Sequence, residues 1–114
     1  MKQRQSVMVV LASLTILSCA TTMVQSGGFS LKKSALDLDF DFVRNRSSFD
    51  LSCPKDKIDL VVLNTQAPTF PDLAMEIGAT GCRKRAVYVA RPGGWVLNSP
   101  ITEVAEPSSS AGTP

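Results

Sequence analysis

Few residues in this 114-residue chain could do chemistry. They are Cys19, Cys53 and Cys82, the alternating carboxylates Asp37, Asp39 and Asp41, the basic run Arg83-Lys84-Arg85, and the single tyrosine and tryptophan, Tyr88 and Trp95. There is no histidine, so the commonest general base and metal ligand is missing. That removes Ser-His-Asp and Cys-His catalysis and the histidine-containing zinc sites. Lys and Arg number 12 against 10 Asp and Glu, a net +2 that is too small to point to nucleic acid.

Each cluster has a plain reading beside its chemical one. On a strand, Asp37, Asp39 and Asp41 would share one face, where they could offer oxygens to Ca²⁺. The residues between them are Leu38 and Phe40, not the polar and glycine residues of a tight calcium loop. The plain reading is an extended segment with one wet face, and no metal or cofactor is assigned. Nothing in the pattern separates these carboxylates into an acid and a base, so no catalytic residue is assigned either. A carboxylate enzyme would need a cleft holding at least two of Asp37, Asp39, Asp41, Asp50 and Glu76. The basic run could meet anionic lipid or an acidic wall polymer; its plain reading is a solvated turn. Tyr88 and Trp95 are expected in core or edge packing rather than as a ligand platform.

The elements that must position these groups begin with a leader. Lys2 and Arg4 precede an uncharged, apolar stretch from Ser6 to Ala20, the layout of a secretory signal. The stretch is shorter than the ~20 residues of a spanning helix. All its faces are apolar, and a domain this small has no interior to hide it. Residues 1–18 are therefore expected to be a signal-peptide helix. Its loss would take Lys2 and Arg4 with it and leave equal numbers of acidic and basic residues.

The end of the leader, Ile16-Leu17-Ser18-Cys19, resembles a bacterial lipobox: two aliphatic residues, a small residue, then cysteine. The resemblance implies cleavage before Cys19, a diacylglycerol on its thiol and an acyl group such as palmitate on the new amine. Ordinary cleavage after Ala20, with Ser18 and Ala20 as the small pair, is the alternative; it would discard Cys19. One acyl chain holds a protein only marginally, whereas two or three give a stable anchor.

With Cys19 lipidated or removed, Cys53 and Cys82 are left as an even pair in an exported chain, where disulfides form. Their bridge would close a loop of about 30 residues, worth about 3–4 kcal/mol in the chain-entropy model. A pair of free thiols and a functional thiol are the rival readings.

Residues 19–35 are small and polar with a Gly27-Gly28 pair, and are expected to be a flexible tether behind the lipidated cysteine. Residues 36–99 carry period-two patterning. Leu36, Leu38, Phe40 and Phe42 alternate with the aspartates, and Phe49, Leu51 and Cys53 share a face. Lys57–Leu63 and Arg85–Arg91 read as strands, Trp95–Leu97 as a return strand after Pro92-Gly93-Gly94, and Leu73–Ile77 as a strand or short helix. The fold class expected is mainly β: a small antiparallel sheet of three to five strands with one disulfide. Its expected core is Phe49, Leu51, Ile58, Leu60, Val62, Val87, Val89 and Trp95. One thin sheet cannot bury both faces, so Leu36–Phe42 is the candidate cover, as an added strand or a short helix. Residues 100–114 are expected to be a disordered tail.

Several pieces together resemble a group of small exported proteins, many of them lipoproteins, common in myxobacteria and their relatives. The pieces are Phe49-Asp50-Leu51-Ser52-Cys53-Pro54, Gly78-Ala79-Thr80-Gly81-Cys82, Ala86-Val87-Tyr88-Val89 and Trp95-x-Leu97-Asn98-Ser99. They span about residues 45–99. The chain departs from the group at Arg83, where glycine is usual, and in the longer Thr65–Asp72 stretch. The resemblance implies export, a disulfide and a small β-rich domain, and no activity.

The expectation is then a bacterial cell-envelope protein, held on the exported side of a membrane by lipid on Cys19. Its role would be non-enzymatic, with envelope proteins or a cell-wall polymer as partners and no nucleic acid. A soluble secreted inhibitor or effector is the alternative, and a small carboxylate enzyme a weaker one.

Overall fold

The computed structural model describes residues 21–104. The leader, Cys19 and most of the tail lie outside the described residues. The described chain is mainly β: a two-stranded hairpin, one helix, and a five-stranded antiparallel sheet.

Strands β1 (Met23–Ser26) and β2 (Phe29–Lys32) form the hairpin. This corrects the expected tether over residues 19–35. Gly27 and Gly28 both have positive φ, 59° and 85°, which is what a two-residue hairpin turn needs. The hairpin tip packs against the free edge of the main sheet. The backbone N–H of Val62 donates to Ser26 Oγ at 3.1 Å. A β-carbon on Gly27 would lie 1.9 Å from the Val62 carbonyl oxygen, so only glycine fits there. The hairpin thus blunts an otherwise open strand edge.

Helix α1 (Lys33–Asp50) follows directly. It corrects the expected period-two reading of this segment, although a helix was one of the two forms foreseen for the cover. Leu36, Val43 and Ser47 are buried and Phe40 packs against them, a helical i, i+4, i+7, i+11 stripe. The alternate apolar residues Leu38 and Phe42 are left outside. Two patterns coexist in the same residues, and the helical one prevails because Val43 and Ser47 extend it.

The helix ends in a Schellman motif. The N–H of Ser52 donates to the Phe49 carbonyl at 3.2 Å and that of Cys53 to the Ser48 carbonyl at 3.0 Å. Ser52 takes the left-handed position with φ 50°. Phe49, Leu51 and Cys53 therefore do not form a strand; the Phe49–Pro54 element is a helix terminus, and Pro54 bars its continuation.

The main sheet runs β3 (Asp59–Gln66), β4 (Phe70–Gly81), β5 (Lys84–Arg91) and β6 (Gly94–Leu97), with β7 (Thr102–Glu103) also paired to β5. Leu73–Ile77 is thus strand, and the tail expected to be disordered contributes β7 through Lys84↔Glu103 and Arg85↔Thr102. Asn98 and Ser99 bridge the gap between β6 and β7. The Asn98 N–H donates to the Val87 carbonyl at 2.8 Å, and the Val87 N–H donates to Ser99 Oγ at 3.0 Å.

Val62, Ile77 and Tyr88 stand in register across the inner face, which α1 and the hairpin cover. Leu51, Ile58, Val62 and Trp95 are buried as expected, and Leu60 packs against them. Two expected core members differ. Phe49 is 84% exposed, because the helix end turns it away from the sheet. Val87 is half-buried on the opposite face, since Ala86, Tyr88 and Ala90 are the side of β5 that meets the helix.

Candidate functional site

The seam between α1 and the sheet gathers most of the polar side chains that could do chemistry. Cys53, set by the helix terminus, bonds Cys82 at the end of β4, with Cα atoms 5.7 Å apart. Gly81 makes this approach possible: a β-carbon there would sit 3.0 Å from Cys53 Sγ and 2.9 Å from the Lys57 carbonyl oxygen. Cys82 and Arg83 form a two-residue left-handed turn, with φ 50° and 65°. Arg83 thus occupies a conformation that glycine adopts more easily.

The seam is closed by hydrogen bonds. Tyr88 Oη donates to Asp50 Oδ2 at 2.7 Å, and Arg46 Nε lies 3.4 Å from the same oxygen. Trp95 Nε1 donates to Asp39 Oδ1 at 3.2 Å. Lys84 Nζ donates to the Leu51 carbonyl at 3.2 Å, satisfying an orphan at the helix end. Arg44 reaches from α1 to the Ile58 carbonyl at 2.7 Å. Burial, and then the Asp50 contact, raise the Tyr88 pKa well above its ordinary value. Burial also raises that of Asp39, against the opposing effect of the Trp95 hydrogen bond.

The aspartate cluster disperses. On a helix, residues two apart point some 200° from one another and residues four apart only some 40°, so Asp39 points away from Asp37 and Asp41. Asp37 and Asp41 are exposed, with Asp37 2.6 Å from Lys33 Nζ, while Asp39 faces Trp95. Asp50 is held by Tyr88 and lies on the seam; Glu76 is half-buried in β4. Among the described residues no three of His, Cys, Asp and Glu come together to hold a metal. The basic run also divides. Lys84 turns in to the helix end, while Arg85 is exposed beside β7. Tyr88 and Trp95 are buried.

What the sequence reading passed over is an apolar stripe on the outer side of α1. Leu38, Phe42 and Phe49 are 74%, 45% and 84% exposed. Their i, i+4, i+11 spacing puts them on one face, opposite Leu36, Val43 and Ser47. The Phe42 ring lies over Gly94, 3.4 Å from where a β-carbon would stand. Phe42, Asn45, Arg46, Phe49 and Asp50 line a shallow groove of about 500 Å³. A hydrophobic pattern read at 100° per residue over 33–50 would have revealed both stripes. A second shallow depression of about 390 Å³ is lined by Gln66, Met75, Ala90, Arg91 and Pro92. No helix among the described residues is long and apolar enough to cross a membrane.

No protein-family model matches the chain, and neither does any curated protein or solved structure.

Proposed function

We propose that this chain is an exported bacterial envelope protein, anchored to a membrane by lipid on Cys19, and that it acts by binding or structural association rather than by catalysis. The observation that carries the reading is the leader: a basic start, a short apolar run, and Ile16-Leu17-Ser18-Cys19 at its end. The Cys53–Cys82 disulfide supports it, because such bonds persist in oxidising compartments. The non-catalytic half draws support from the carboxylates. Asp39 and Asp50 are each taken up by a hydrogen bond that holds α1 to the sheet.

Intact mass spectrometry of the mature protein, extracted from membranes with detergent, tests the anchor. The expected product begins at Cys19 and carries a diacylglyceryl adduct. A product that begins at Thr21 without lipid overturns the anchor and favours the second reading, a soluble secreted inhibitor or effector. That reading has Ser18 and Ala20 as its support.

A further inference from the structure

We propose that the outer face of α1 lies in the membrane interface, with Leu38, Phe42 and Phe49 seated among the headgroups and upper acyl chains of a zwitterionic bilayer. This rests on Cys19 being the lipidated residue.

Chain geometry carries the first step. The Thr22 carbonyl accepts the Lys33 N–H at 2.9 Å, so the chain comes into the fold beside the first residue of α1. Only Ala20 and Thr21 stand between Cys19 and Thr22, and the three steps from one to the other, even fully extended, span only roughly 10 Å. Because β1 begins at Met23, no long tether intervenes. A lipid on Cys19 therefore holds the start of α1 close to the bilayer surface.

The second step is what α1 offers that surface. Leu38 follows Lys33 by less than two turns, and the stripe continues through Phe42 to Phe49, roughly 16 Å along the axis from Leu38. A helix with one apolar side on the sheet and a second facing outward suits an interfacial position. Met23, 45% exposed at the start of β1, adds an apolar contact near the anchor.

The charges choose the lipid. Lys33 is paired with Asp37, and Arg46 with Asp50, while Asp41 is exposed beside the stripe. Among these groups there is no basic excess to draw anionic headgroups, so insertion is driven by apolar area and a zwitterionic surface fits best.

The test uses the mature acylated protein in phosphatidylcholine vesicles, with Phe49→Trp and, separately, Leu38→Trp as reporters. The buried native Trp95 sets the baseline in the unmodified sequence. Both positions are exposed, so the variants keep the fold. The expected result is blue-shifted reporter emission, lowered about twofold by lipids brominated in the upper acyl chain, and unaffected by raised salt. Reporters that emit as in water and escape quenching, on protein that is acylated and sediments with the vesicles, overturn the inference and leave the anchor standing; the stripe would then face a protein partner. A mass spectrum lacking lipid on Cys19 instead overturns the anchor, and this inference with it.

Discussion

The hydroxyl of Tyr88, fully buried on β5, donates a 2.7 Å hydrogen bond to Asp50 in the last turn of α1. One bond thus joins the sheet to the helix terminus that also sets Cys53. Tyr88→Phe removes the donor and keeps the ring. A hydrogen bond to a charged group contributes about 1.5–3 kcal/mol, so the variant should lose stability in that range by urea unfolding. A loss below a few tenths of a kcal/mol would show the bond to be incidental.

The same contact predicts an alkaline limb in stability. An unfolded tyrosine ionises near 10.0, while folded Tyr88 holds its proton to higher pH. The folded state therefore binds the extra proton, and the stabilisation is complete below about pH 10. It is lost as the pH rises from there through the folded value. Unfolding midpoints of the wild type should fall more steeply above that pH than those of Tyr88→Phe. Parallel curves would refute the linkage.

Asp39 predicts the opposite of a stabilising carboxylate. Its folded pKa is raised above the ordinary 3.8, so its favourable contribution is complete below that pH and is lost as the pH rises through the folded value. At neutral pH its half-buried charge is a cost. Asp39→Asn keeps an acceptor for Trp95 Nε1 and removes the charge, and should be at least as stable as the wild type at pH ~7. Asp39→Ala leaves the indole N–H unpaired and should cost about 1–3 kcal/mol. Thermal melts of the two variants side by side decide the matter; equal losses would contradict it.

Cutting the Cys53–Cys82 link restores loop entropy to the unfolded chain. The double variant Cys53→Ala, Cys82→Ala should lose about 3–4 kcal/mol in urea unfolding, and reduced wild type should match it. For a domain this small that is a large part of the whole. Identical midpoints with and without reductant would mean that the bond is not formed in the protein tested.

The hairpin tip gives a sharp contrast between adjacent glycines. At Gly27 a β-carbon meets the Val62 carbonyl oxygen, whereas at Gly28 nothing lies within 4 Å. Gly27→Ala should cost about 2–3 kcal/mol through overpacking and expose amides of β1 and β2 to hydrogen exchange. Gly28→Asn, which tolerates positive φ, should stay within about 0.5 kcal/mol. Equal effects would mean that the tip does not dock on β3.

Strands β3, β5 and β6 were legible because each alternates or runs apolar between turn residues. The two faces of β5 were also separated correctly, with Val87 and Val89 on one and Ala86, Tyr88 and Ala90 on the other. The hairpin carries a readable sign in Gly27-Gly28 flanked by Val24, Phe29 and Leu31, but the small and polar residues around it give the segment the composition of a tether. Helix α1 was harder, since Leu36 and Phe40 belong equally to a period of two and to a helical stripe.

By itself the order of residues determined that an uncharged apolar run extends from Ser6 to Ala20, that Cys53 and Cys82 could pair, and that the segments around 57–63 and 85–97 read as strands. Local period is a property of neighbours along the chain, so it survives without any partner. Which face of β5 is covered, which way Phe49 turns, and that Asp39 and Asp50 meet Trp95 and Tyr88 were decided only by the tertiary structure. Those outcomes depend on what packs across the sheet: α1 lies against it, chiefly over β4, with Leu36, Val43 and Ser47 buried in between.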